Sequence, residues 1–107
     1  ESWNGTSWTE VADLNTARNL TGGSGLYTSA LGAGGLDQGG GANVAITESW
    51  NGTSWTEVAD LNTARYGVQG AGTTAAGLAA SGYSTAASAS TEEWNEPVEA
   101  TKSVDTD

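Results

Sequence analysis

The eighteen residues Glu1–Arg18, ESWNGTSWTEVADLNTAR, recur without a single change at Glu48–Arg65. No other feature restricts the fold as much, because one local structure has to serve both copies. Stacked copies of one supersecondary unit meet that demand. The period is 47 residues and outlasts the identical block: Leu31 falls on Leu78, Gly35 on Gly82 and Leu36 on Tyr83. A third start stands at TEEWN, where Trp94 follows Trp50 by 44 positions.

A helical repeat of this length needs apolar residues at 3.6-residue spacing, and the abundant Gly and Thr argue against helix. Each unit instead reads as four short strands, lettered A to D. Asn43–Trp50 is a C strand and Ser54–Val58 a D strand, with Trp55 and Glu57 on one face. Between them lies Asn51-Gly52, as Asn4-Gly5 lies in the first copy. Asn-Gly predicts a type I′ hairpin turn, which needs two positive φ angles. The segment ADLNTAR connects to the next A strand, Tyr66–Gly72, and Ala75–Gly82 forms strand B. Repeats of about 40–50 residues with tryptophans and Gly-rich strands fit the blades of an all-β propeller. Gly and Ala in A and B suit the crowded centre of such a disc, where backbones approach closely. The predicted division is 1–18, the second half of a first blade; 19–65, a complete blade; and 66–107, a last blade with an acidic C-terminal strand or tail. About two and a half blades are present.

The larger aliphatics number six Val, seven Leu and one Ile, and Phe, Met and Cys are absent. Small side chains bury little area, so stabilisation from outside these residues is expected. A net charge of −10 repels phosphate backbones and anionic headgroups. Nucleic acid and membrane insertion are therefore not expected. Without Cys no disulfide or thiolate metal site can form.

The pattern of Gly34–Gly35, Trp50, Asn51–Gly52, Trp55 and Leu61–Arg65 resembles the kelch repeat. Ala64 stands where that family commonly has proline, and Ser81–Gly82 replaces the second Gly-Gly. The repeated ESWNGTSWTEVADLNTAR followed by TEEW is most similar to kelch-like proteins of marine bacteriophages and bacteria. The resemblance implies four-stranded antiparallel kelch-like propeller blades, in virion, extracellular or cell-surface proteins, and implies no catalytic mechanism. Closed propellers usually have four to eight blades. These residues are therefore expected to be the C-terminal piece of a longer chain, or else to close or extend through identical copies, as a ring or a filament. The expected partners are further blades of the same chain or identical chains, with surface glycans or other virion proteins as ligands.

The D-to-A and B-to-C connections of such blades share one face of the disc. Arg18, Arg65, Asp37, Tyr83 and Asn62 make a candidate ligand face there. The competing and favoured reading pairs each Arg with a nearby carboxylate such as Asp13, Asp60 or Glu57. Trp3, Trp8, Trp50, Trp55 and Trp94 can stack on sugars, but once or twice per blade they suit packing between blades, and that reading is preferred. The Asn-Gly-Thr and Asn19-Leu-Thr triplets fit the glycosylation pattern; hairpin turns account for Asn4 and Asn51. The acids of TEEWNEPVE and SVDTD read as a solvated tail rather than a calcium loop. No cofactor is expected. The expected function is a non-enzymatic structural or adhesive segment presenting loops. A fragment of a propeller enzyme is the weaker reading: a glycosidase needs one special carboxylate pair, yet Glu10 and Asp13 recur as Glu57 and Asp60.

Overall fold

The computed structural model describes residues 1–39 and 41–95. It is all-β, in several small antiparallel sheets. β1 (Ser2–Trp3) pairs with β2 (Trp8–Thr9). After β3 (Arg18–Asn19) come β4 (Gly22–Leu26), β5 (Ser29–Ala33), β6 (Leu36–Asp37), β7 (Thr47–Trp50) and β8 (Trp55–Val58). Four of these make one sheet in the order β4-β5-β7-β8, and β3 pairs with β6 beside it. β9 (Gln69–Gly72), β10 (Ala76–Ala80) and β11 (Thr91–Asn95) make a three-stranded sheet with β10 in the middle. Among the described residues none of these sheets closes on itself.

The strands expected from the repeat are present but shorter. Strand C of the middle unit is regular only over Thr47–Trp50. Its upstream half is extended chain that serves neighbours on two sides. The Val44 and Ala45 carbonyls accept from the Arg65 and Leu61 amides, and the Ile46 carbonyl accepts from Gly34. The anticipated strand A narrows to Gln69–Gly72, with Tyr66 bridged to Tyr83 instead. The fourth strand anticipated in the last unit, and the acids from Glu96 onward, lie outside the described residues; Glu92 and Glu93, expected in a solvated tail, stand instead in β11, with Glu92 paired to Arg65.

The Asn-Gly turns correct the type I′ expectation. Trp50 and Trp55 are register partners, so the loop holds four residues, Asn51–Ser54. Gly52 alone of these has positive φ, at 98°. The Asn51 side-chain oxygen accepts from the Thr53 and Ser54 amides at 2.8 and 2.9 Å. Asn4 does the same for Thr6 and Ser7. Asparagine is chosen here as a local acceptor that holds the loop.

Small residues let the inner strands meet. A Cβ on Gly70 would lie 2.6 Å from the Gly23 carbonyl oxygen, and one on Gly22 would lie 2.7 Å from that of Val68. β4 and β9 thus approach backbone to backbone. The buried apolar side chains, Leu31, Trp50, Val68 and Ala79, come from the middle and last units.

Candidate functional site

The two arginines are the centre of the molecule's polar architecture, and both are buried. Each follows an Asn-Thr-Ala connector that leaves one unit and enters the next. Arg18 donates from Nη1 to the Gly34 carbonyl at 3.1 Å and to the Ile46 carbonyl, and from Nη2 to Gly32 at 3.4 Å. Its Nη2 also lies 3.2 Å from Glu48 Oε2, with both side chains wholly inaccessible. Arg65 repeats the arrangement one unit later. It donates to the Ser81, Ser90 and Ala79 carbonyls, and its Nη2 lies 2.9 Å from Glu92 Oε2. The carbonyl groups of the second unit map onto those of the third through the repeat itself.

The connector's asparagine completes each joint. Glu48 Oε1 accepts from the Asn15 amide at 2.8 Å and from Asn15 Nδ2 at 3.0 Å. Glu92 Oε1 accepts from the Asn62 amide at 2.7 Å. A carboxylate held by charge-assisted bonds on both oxygens is strongly fixed. Burial pushes the Arg18 guanidinium below its ordinary value, and Glu48 above all, with Glu57 and Asp60, opposes that. The Nε of each arginine is buried without a hydrogen-bond partner among the described residues. That cost is borne twice, at equivalent places.

This geometry corrects the ligand-face reading of Arg18 and Arg65: their charged ends point into the sheets. It also corrects the carboxylates proposed for them. Glu48 and Glu92 are the partners, whereas Asp13, Asp60 and Glu57 are exposed. Asp37 pairs in register with Arg18 through the backbone, and its carboxylate accepts from the Gly39 amide at 2.8 Å. Asn62 contributes its amide to the Glu92 joint. Tyr83 stays 42% exposed and stacks at 5.3 Å on Tyr66. Its counterpart Leu36 is likewise paired with Asn19. The five candidates therefore do not converge on one pocket. Asn43 Nδ2 donates to the Ser84 carbonyl and so ties one B-to-C loop to the next.

The tryptophans divide into three roles. Trp50 and Trp94 donate their indole N–H within their own sheets, to the Tyr27 and Thr74 carbonyls at 2.9 and 2.8 Å. Trp55 reaches across units, donating to the Ala12 carbonyl at 3.2 Å. Trp3 and Trp8 correct the expectation of buried packing between blades: they stack on each other at 5.4 Å but stay exposed.

Sequence reasoning missed Glu48 and Glu92 as partners, and placed Asn15 on the connection face without giving it a role. A usable signal was present. Glu-x-Trp is kept at the third start, where most neighbouring residues change, and one Arg precedes each of those two Glu-x-Trp segments. No family model matches the chain, and no curated protein does either.

Proposed function

We propose that the chain is a segment of a kelch-like β-propeller acting as a non-enzymatic structural or adhesive scaffold, of a phage tail or fibre or of a secreted or cell-surface protein. Its B-to-C loops are the parts offered to glycans or to other virion proteins. One observation carries the reading. The backbone amide of the connector Asn and the Arg guanidinium hold the Glu of the next unit at both joints, between the first and second units and again between the second and third. Such a joint makes units interchangeable, and interchangeable units suit a scaffold whose loops vary on a constant frame.

The acids of the joints also weigh against the glycosidase alternative, since Glu48 and Glu92 are both held in ion pairs. Negative-stain imaging of the native protein tests the scaffold reading. Discs with radial blades support it; featureless globules of another outline refute it. A glycan array then reads adhesion, with binding lost on Tyr83→Ala as the supporting result.

A further inference from the structure

The identical eighteen residues sit in two different environments, and the difference defines a surface. In the second unit the β7–β8 hairpin is covered by one continuous stretch, Val11–Ala33. Its connector bonds Glu48 through Asn15 and Arg18, and the Ala12 carbonyl takes the Trp55 indole N–H. Its hairpin carbonyl at Tyr27 takes the Trp50 N–H, and β5 pairs with β7 along Ala30–Ala33. In the third unit Val58–Ala80 covers β11 in the same way, through Asn62, Arg65, Thr74 and β10.

The β1–β2 hairpin carries the same residues at the same places. Trp3 and Trp8 stack at 5.4 Å and 46°, against 5.3 Å and 43° for Trp50 and Trp55. The receiving geometry is thus already formed. Yet Trp3 is 44% exposed where Trp50 is 5%, and Trp8 is 65% exposed. Glu1 is exposed where Glu48 is buried. β1 has β2 on one edge and no described strand on the other. Beside it lies a cleft of about 640 Å³, walled by Trp3, Trp8, Leu14, Leu26, Tyr27 and Trp55.

We infer that this face docks a further repeat unit whose connector and Gly/Ala-rich hairpin have the chemistry of Val11–Ala33. The inference rests on the scaffold reading above and names its unsatisfied joint. The incoming Asn and Arg bond Glu1. The second hairpin strand adds to the open edge of β1. Two backbone carbonyls of the incoming unit take the indole N–H groups of Trp3 and Trp8. A strand of small residues is selected because β5 and β10, Ser-Ala-Leu-Gly-Ala and Ala-Gly-Leu-Ala-Ala, fill the equivalent places.

The test uses the full chain labelled with fluorotryptophan and titrated with a synthetic peptide of sequence Val11–Ala33. A second version carries another copy of Val11–Thr47 spliced ahead of Glu1. The expected result is that the Trp3 and Trp8 fluorine signals lose solvent sensitivity in both experiments, and that Glu1→Ala weakens the peptide about tenfold or more. Unchanged Trp3 and Trp8 signals in the spliced chain overturn the inference, whatever the peptide does. Shielding of both residues in the unmodified chain, with sedimentation reporting a dimer, overturns it in favour of a second copy. X-ray scattering of the spliced chain separates this from the propeller reading. Docking with straight rather than curved growth leaves the joint standing and removes the propeller.

Discussion

Glu1 and Glu48 begin the same eighteen-residue sequence, yet one is exposed and the other is wholly buried against Arg18. Local sequence sets the hairpin, and the neighbouring unit sets the chemistry. Glu48→Ala leaves a buried guanidinium unpaired and is expected to cost about 3–5 kcal/mol. Glu1→Ala is expected to stay within about 0.5 kcal/mol, as for an exposed site; urea unfolding of the two variants compares them. Backbone conformation separates equivalent residues too. Leu20 and Ser81 sit at φ of 55° and 61°, while their counterparts Gly67 and Gly34 occupy the same region at 68° and 69°. A left-handed conformation costs a non-glycine residue about 1–2 kcal/mol. Leu20→Gly relieves that strain but frees the unfolded chain by about 0.5–1 kcal/mol, so at the half-exposed Leu20 a small net stabilisation, below about 1 kcal/mol, is expected. A fall in the midpoint of thermal unfolding contradicts this.

Among the elements, the closest approach is between β4 and β9, where glycine faces carbonyl. Gly70→Ala puts a methyl 2.6 Å from the Gly23 oxygen, so the two sheets must separate. The expected cost is about 1–3 kcal/mol, read as a lowered unfolding midpoint and faster amide exchange in both β4 and β9. Asn51→Ala removes two bonds from the β7–β8 loop and is expected to cost about 1 kcal/mol; a loss no larger than that of Thr53→Ala counts against the turn. The strand order of the middle unit was legible from the repeat and its turn signals: the β4-β5-β7-β8 meander follows the Gly-Gly, Trp and Asn-Gly spacing. The turn type was not, because Asn-Gly serves two-residue and four-residue loops, and register decides between them. The buried ion pairs were not legible either. An acid in strand C and an Arg thirty positions earlier carry no local pattern; only the sheet brings them together.

At the scale of the molecule, the three units form a row in which each connector secures the next unit's C strand. Stability in such a row is carried by the joints between units as much as by the sheets. The two joints are one device used twice. Double-mutant cycles on Arg18→Ala with Glu48→Ala, and on Arg65→Ala with Glu92→Ala, measure the coupling at each. The predicted result is a coupling above about 1.5 kcal/mol at both joints, in line with charged, desolvated partners. Coupling near zero at either joint would mean that the two arginines do different jobs.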